Sequence, residues 1–498
     1  MHTTRTLALA LLLSPLALAA DLRIEVAGAL APGHSVTRIT GDPGRVFSLY
    51  ISATESPTPI SELITLDVNP LRQFAASVEL GGVLDAAGQA TFGFETTEAL
   101  IGGRLSFQAA SVHPNVQVSN LCRAAYLAPN SFGALPAVTA SFLGDAFPLT
   151  EQRVLFLGGS GPLAQVYDAC LQEVTIAGAL PNSNVFASRV QLVNGSVLVC
   201  GGLDPSGQPS ADAYVFDAAT GQSLVVGPLA TPRAGAAAVR LPSGRVLVTG
   251  GLSAITLTDP TAFFDAIAGS TEIFDPLLGT FAAGPTMPER KAFHTATVLA
   301  NGAVLVAGGL GIVPILGLPF VSNLGYATNA SATSFSPLPK VFTTGRLLHS
   351  ATRLADGRVL LAGGFTADLT GVLKTGDLTQ IAFVAVDGTS AYSTSGLGSF
   401  ANGPTLAAGR ALHTATRLAN GKVLLAGGLT GALDLGSIAT GKFRLPSPIA
   451  TSELATASAV RPGPALVSAR TGASASLLPD GRVVVLGGGP LQVELYQP

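Results

Sequence analysis

One short pattern recurs down this chain and constrains the fold more than any other feature. A Gly-Gly pair closes an apolar run seven times, beginning at Gly158, Gly201, Gly250, Gly308, Gly363, Gly427 and Gly487. In six copies a turn dipeptide ends six residues before the pair: Asn194-Gly195, Ser243-Gly244, Asn301-Gly302, Asp356-Gly357, Asn420-Gly421 and Asp480-Gly481. The stretches "HSATRLADGRVLLAGGF" (349–365) and "HTATRLANGKVLLAGGL" (413–429) show the pattern at its fullest. Apolar strand residues flank each dipeptide, and Asn-Gly or Asp-Gly suits a two-residue hairpin because both central positions need positive φ. Every copy therefore predicts a hairpin whose second strand ends in Gly-Gly, where the lack of a side chain lets another backbone approach closely.

A second strand pair is expected after most copies. In "STEIFDPLLGTFAAGP" (270–285), Phe274 precedes an Asp-Pro turn and Phe281 follows seven residues on; Phe335 and Phe342 repeat that step. "AQVYDA" at Tyr167 and "AYVFDA" at Phe216 read as third strands with no fourth. The period averages about 55 residues, a spacing used by large β repeats. Four short antiparallel strands per unit, without helical periodicity between units, predict a seven-bladed β-propeller. The last copy ends at "VELYQP" after its third strand. The missing outer strand is expected from residues 125–145, because a ring must not leave that edge open.

The turn glycine, the Gly-Gly pair and the paired aromatics together resemble the kelch family over residues 136–498. Kelch repeats usually place Trp at the second aromatic; here Phe281, Phe342 or Phe400 stands there, and the chain has no Trp at all. The fold class expected is all-β, a seven-bladed kelch-like β-propeller (131–498) preceded by a small immunoglobulin-like β-sandwich (20–130). Alternating segments such as "RVFSLYIS" and "RLSFQAA" carry the second assignment.

Residues 1–19 read as a signal peptide. Arg5 precedes an apolar run from Leu7 to Leu18, and Ala17-Leu18-Ala19 forms a small-x-small cleavage pattern. That run is shorter than the roughly 20 apolar residues of a membrane span, so a secreted protein, extracellular or periplasmic, is expected, with no membrane span. Charged residues make up only 11% and the net charge is −3, which argues against a nucleic-acid partner. Export permits disulfides. Cys200 sits where sister copies carry Thr249, Ala307, Ala362 and Ala426, as a small buried hydrophobe. Cys122 and Cys170 are left as the expected bridge.

Candidate binding residues recur at fixed places. A basic residue stands three positions before each repeat His or its equivalent: Arg233, Lys291, Arg346, Arg410 and Arg470. His294, His349 and His413 occupy the next register. Placed around a channel mouth, such cations would attract carboxylates, sulfates or acidic glycans. The competing expectation is that a residue repeated at one position serves the repeat, bonding carbonyls between blades. Metal binding by the three imidazoles is not expected, since equivalent positions of adjacent units are spread around the axis. Four long insertions, 252–269, 310–330, 365–389 and 429–450, leave one face and are expected to wall the channel mouth.

The chain lacks Gly-x-Ser-x-Gly, His-Glu-x-x-His and P-loop motifs. A non-catalytic, monomeric binding or scaffold protein is expected, presenting a propeller face to an extracellular protein or glycan, with no cofactor. The alternative is a carbohydrate-active propeller enzyme, oxidase- or isomerase-like, working at the loop-rich face.

Overall fold

A computed structural model describes residues 21–27, 33–52, 55–61, 64–68, 80–96, 98, 101, 104–111, 117–137, 142–150, 152–182, 185–256, 260–312, 319–338, 342–377, 380–395, 398–434, 446–489 and 492–498. The expected signal segment lies outside these residues. The chain is all-β and divides after Tyr126 into two compact units. The expected boundary at 130–131 thus falls at 126–127.

In the first unit, Arg23–Ala27, Gly33–Thr40 and Gln89–Thr96 form one antiparallel sheet. Cys122–Ala125, Arg104–Ser111, Val46–Ser52 and Leu80–Val83 form another, and Gln117–Val118 pairs with Arg104–Ser111. Alternation works as the sequence implies: in Val46–Ser52, Phe47 and Leu49 are buried while Val46 is exposed. Phe47 of one sheet meets Phe92 of the other edge-on, with ring centroids 5.7 Å apart.

The second unit contains seven four-stranded antiparallel sheets. Their first strands are Asp145–Pro148, Ser188–Gln191, Ala237–Arg240, Thr295–Val298, Ser350–Arg353, Thr414–Arg417 and Ser474–Leu477, and these number the sheets one to seven. Each second strand ends at Gly-Gly and is buried throughout, as in Val359–Ala362, except at Arg153, which opens that of sheet one half-buried. Sheet seven takes its fourth strand from Ser131–Ala137, which pairs with Gln492–Gln497, within the stretch expected to supply it. Sheets one and two do have fourth strands, Glu173–Ala179 and Gln222–Val225. The positions seven residues after Tyr167 and Phe216 are Val174 and Ser223, so the second aromatic that marks a fourth strand elsewhere is missing. In sheet four the third strand is Gly325–Thr328, and Phe335 sits on the fourth. Phe335 and Phe342 are therefore not partners across a turn.

The hairpins depart from the two-residue loop expected. In sheet two, Gly195 N donates to Leu192 O at 3.1 Å and Leu192 N to Ser196 O at 2.8 Å. Gly195 has φ of 89°, but Asn194 is not left-handed. This is a three-residue loop, a type I turn followed by a left-handed glycine. The Asn or Asp acts through its side chain instead, which accepts the amide two residues on, as Asp480 Oδ1 does from Arg482 N at 3.0 Å.

Candidate functional site

Seven residues, one just ahead of each first strand, surround a central cavity. Leu143, Phe186, Phe293, Leu348 and Leu412 have φ between 52° and 60°, and Gly235 and Gly472 lie at 64° and 59°. A left-handed non-glycine costs on the order of 1 kcal/mol, so something must hold five of them. Main-chain hydrogen bonds do. Gly472 N donates to Leu412 O, Leu412 N to Leu348 O, Leu348 N to Phe293 O, Phe293 N to Gly235 O, and Gly235 N to Phe186 O. Leu143 N then donates to Gly472 O at 2.8 Å. Between Leu143 and Phe186 a side chain substitutes: Arg189 Nη1 donates to Leu143 O at 3.1 Å and to Asp145 Oδ2 at 2.9 Å. Glycine is needed at 235 because a Cβ there would lie 2.4 Å from the Phe293 ring. Without it, Phe186 and Phe293 meet edge-on at 5.3 Å.

The cavity inside this ring has a volume of about 270 Å³ and is lined from all seven sheets, its polar groups being Asp145, Arg189, His294, His349 and His413. The three histidines thus line one cavity, as their shared register implies. The five basic residues do not line it as free cations. Arg233, Lys291, Arg346, Arg410 and Arg470 are all at most 2% exposed. A channel-mouth cation ring at these positions is therefore corrected: they join sheets.

Each basic residue works through both its main chain and its side chain. Its carbonyl accepts the amide of the second glycine of the preceding sheet: Gly202 N to Arg233 O, Gly251 N to Lys291 O, Gly309 N to Arg346 O, Gly364 N to Arg410 O and Gly428 N to Arg470 O, at 2.7–2.8 Å. Its side chain donates to the carbonyl of the first glycine of its own sheet, as Arg410 Nη1 does to Gly427 O at 3.0 Å. Lys291 Nζ reaches Gly308 O at the same distance. The repeated basic residue and the repeated Gly-Gly are halves of one joint.

Buried charge needs a partner. Glu272, Glu453 and Glu494, each on a third strand, pair with Arg233, Arg410 and Arg470 at 3.0, 2.7 and 2.8 Å. Spare carboxylate capacity takes loop amides, Ala230 N on Glu272 at 2.8 Å and Val467 N on Glu494 at 2.7 Å. Lys291 pairs instead with Glu289. Its ammonium is pushed down to about 8, by desolvation against the opposing pull of Glu289. At Arg346 the third-strand Glu position holds Ser390, opposite Leu361. The guanidinium stacks on Phe342 at 5.4 Å, where the sister residues are Leu229, Leu406 and Leu466. An aromatic face takes the place of the paired carboxylate, and the Asp387 charge opposes the desolvation of the cation. Burial holds this Arg down to about 10.

The imidazoles bridge neighbouring sheets. His349 Nε2 lies 3.0 Å from Thr295 Oγ1, and His413 Nε2 lies 2.9 Å from Ser350 Oγ. Sheet three has Ala237 where those hydroxyls stand; Thr249, directly opposite it, supplies the hydroxyl to His294 Nε2 at 2.7 Å. This accounts for a Thr where the second strands of sheets four, five and six end in Ala. Because Thr249 donates its own proton to Ala237 O at 3.1 Å, His294 Nε2 carries the proton between them. Desolvation pushes His294 and His413 down to about 3 and His349 well below the usual histidine value, so all three are neutral.

Among the described residues the insertions pack against one another. Those of sheets three to six share one apolar cluster that includes Leu252, Phe264, Leu310, Phe365, Ile381 and Leu429. Leu252, Leu310, Phe365 and Leu429, each just after its Gly-Gly, bridge back to Ala234, Ala292, Leu347 and Ala411. Burial of each large side chain contributes about 1.5–3 kcal/mol. The polar-looking "TLTDPTAFFD" turns Phe264 into this cluster. Part of "GIVPILGLPF", residues 313–318, lies outside the described residues.

Sequence reading missed the third-strand glutamates and the Arg189–Asp145 pair. A signal for the first existed: Glu272 in "TEIF", Glu453 in "SELA" and Glu494 in "VELY" place a carboxylate at one position of an apolar strand. Cys122 and Cys170 are both disulfide-bonded, and Cys200 is a buried free thiol pushed up to about 12 by desolvation.

No family model and no curated protein matches the chain. Among solved structures, that of YjhT superposes with a TM-score of 0.50 at 15% identity, covering 66% of this chain and 99% of that one. A fungal alcohol oxidase of the AA5 family, in complex with copper, superposes with a TM-score of 0.55 at 14% identity, covering 74% of this chain and 76% of the oxidase. At these identities the likeness concerns fold. Among the described residues no helix is long and apolar enough to cross a membrane.

Proposed function

We propose that residues 127–498 are a seven-bladed kelch-like β-propeller behind an immunoglobulin-like sandwich, and that the exported chain is a monomeric binding or scaffold protein for an extracellular protein or glycan. The cyclic hydrogen-bond order through Leu143, Gly472, Leu412, Leu348, Phe293, Gly235 and Phe186 supports the propeller reading. Export fits the apolar run Leu7–Leu18 and the disulfide-bonded Cys122 and Cys170.

One observation carries the binding reading. The chemically distinctive residues of the repeat are engaged in joining sheets, in buried ion pairs and imidazole–hydroxyl bonds. What differs from sheet to sheet therefore lies at the two ends of the unit, where partners are met.

The likeness to a copper-bound alcohol oxidase motivates the enzyme alternative. Each imidazole Nε2 is held by a hydroxyl of the neighbouring sheet, while each Nδ1 is buried without a hydrogen-bond partner. Among the described residues no His, Cys, Asp and Glu side chains gather as a metal-binding group. A glycan array probed with the mature chain, beside an alcohol-oxidation assay after copper loading, separates the readings. Retention on a defined glycan without turnover is expected; copper-dependent turnover overturns the proposal.

A further inference from the structure

We propose that the end of the seven-sheet unit opposite the Gly-Gly pairs is a docking site for an extended acidic polysaccharide bearing sulfate or carboxylate groups. This deepens the binding reading above and rests on it.

The strands are antiparallel, so every turn between a first and a second strand lies at the end away from Gly-Gly and the apolar insertions. Sheets three, five and six place cations on both sides of that turn: Arg240 and Arg245, Arg353 and Arg358, Arg417 and Lys422. Arg240, Arg245, Arg353, Arg417 and Lys422 are exposed, and the Arg358 side chain is 43% exposed. Only Arg358 of the six forms an ion pair among the described residues, with Asp356 at 2.7 Å. In a chain of net charge −3, this concentration does not follow from composition. It follows from placement: Glu272, Glu289, Glu453 and Glu494 are buried against other cations.

The arginines are also held in place. Arg417 Nη1 donates to Arg353 O at 3.4 Å, linking sheets five and six, and Arg240 Nη1 donates to Gln191 O at 3.0 Å. A guanidinium anchored by one nitrogen keeps its remaining N–H groups for a planar anion such as a carboxylate, or for a sulfate. Among the described residues, Asp168, Asp217 and Asp275 at this end sit in the outer turns of sheets one to three and cap their own turn amides, Asp480 of sheet seven pairs with Arg482, and Glu173 lies exposed on sheet one, away from sheets five and six. Sheets five and six face solvent with cations opposed only by Asp356 among the described residues.

The chemistry of the surroundings selects the polyanion. Binding single-stranded nucleic acid relies on exposed aromatics for base stacking; among the described residues the exposed large apolar side chains are all aliphatic. A protein partner wants a buried anchor at the centre of its interface. The exposed Leu277 and Leu278 belong to the outer turn of sheet three, whereas in sheets five and six the cations are separated by small turn residues, Ala355-Asp356 and Ala419-Asn420. A flexible sugar chain that reads charge spacing fits such a surface.

The test is titration of the mature full-length chain with dextran sulfate, neutral dextran of equal length, and a single-stranded oligothymidylate of equal charge. Three variants accompany it: Arg353→Glu/Arg417→Glu, Arg353→Ser/Arg417→Ser, and Arg290→Glu, an exposed cation that donates to Asp265 O at the other end. We expect salt-sensitive binding of dextran sulfate alone, weakened about tenfold or more by either double variant at unchanged Tm and untouched by Arg290→Glu. The salt dependence should also become shallower, by roughly 0.7–0.9 in log–log slope for each cation–anion pair removed. No binding of dextran sulfate at low salt, equal loss in Arg290→Glu, or tighter binding of the oligonucleotide overturns the site. Binding of a neutral glycan that the double variants leave intact refutes this site while sparing the binding function. Copper-dependent turnover refutes the function itself.

Discussion

Arg189 Nη1 reaches the Leu143 carbonyl at 3.1 Å, where the ring of main-chain hydrogen bonds around the central cavity has no peptide link among the described residues. The same nitrogen holds Asp145, whose carboxylate is half exposed. Removal of this side chain leaves the Leu143 carbonyl without that donor, and Gln191 Nε2 on Pro148 O remains to join sheets one and two. Arg189→Ala should lose about 1.5–3 kcal/mol, the range for hydrogen bonds to charged groups. Arg189→Lys should fall between the two. Urea unfolding measures both, and an Arg189→Ala midpoint equal to wild type would show that the link is dispensable.

Arg410 and Arg417 stand seven residues apart in one repeat and should respond oppositely to mutation. Arg410 is fully buried against Glu453, so Arg410→Ala leaves an uncompensated carboxylate and should cost about 3–5 kcal/mol. Arg410→Met/Glu453→Leu removes both charges and should recover most of that loss. Arg417 is exposed, and Arg417→Ala should stay within about 0.5 kcal/mol of wild type. Similar midpoints for Arg410→Ala and Arg417→Ala would contradict the joint described for the basic residues.

This contrast shows what the sequence makes legible. The spacing of Gly-Gly and turn glycine is a local pattern, and it reveals seven hairpins and the need for a borrowed strand, which Ser131–Ala137 supplies. The fate of Arg410 is decided by Glu453, 43 residues away, and that of Arg233 by Glu272, 39 away. Insertions of different length separate each pair, so no fixed spacing marks them. The packing of the insertions is illegible for a related reason. Leu252, Leu310, Phe365 and Leu429 recur one residue after Gly-Gly, but their shared cluster is assembled across four sheets. The left-handed Leu348 and Leu412 look like ordinary apolar residues, because their conformation is set by bonds to other sheets.

Thiol counting gives a direct check on the cysteines. The unreduced chain, unfolded in guanidinium, should react with one equivalent of a thiol reagent, at Cys200. The folded chain should react slowly, since that thiol is buried and its ionisation is pushed up to about 12. Three reactive thiols in the unfolded, unreduced chain would contradict the bonded state of Cys122 and Cys170.

The Arg346 site predicts a non-additive pair. Ser390→Glu alone brings a carboxylate toward a space that Phe342 fills, while Phe342→Leu alone removes the aromatic face from a buried cation. Each single variant should lose about 1–3 kcal/mol, the usual range for overpacking and for removal of a buried packing partner. Together they rebuild the arrangement of Arg410, Glu453 and Leu406. The double variant should be more stable than either single one, with a coupling of about 1–3 kcal/mol in a double-mutant cycle. Additive losses would mean that Phe342 does not stand in for the glutamate.

Acid should weaken the fold through its imidazoles before most carboxylates titrate. His294 and His413 titrate near 3 when folded, against about 6.5 for a free histidine. Between those values the unfolded chain binds the proton and the folded chain does not. Stability is therefore fully retained above about pH 6.5 and falls as pH drops toward 3, each imidazole contributing at most about 1.4 kcal/mol per pH unit. His349 acts in the same direction. Lys291, held near 8, stays protonated in both states across this window and adds no slope. His294→Gln keeps an amide to donate to Thr249 Oγ1 but removes one titrating group. The variant's unfolding free energy should fall less steeply than wild type between about pH 6.5 and 5, by up to about one proton's worth of slope. Parallel curves for the two proteins would show that His294 takes up a proton in the fold, contrary to its burial against Thr249.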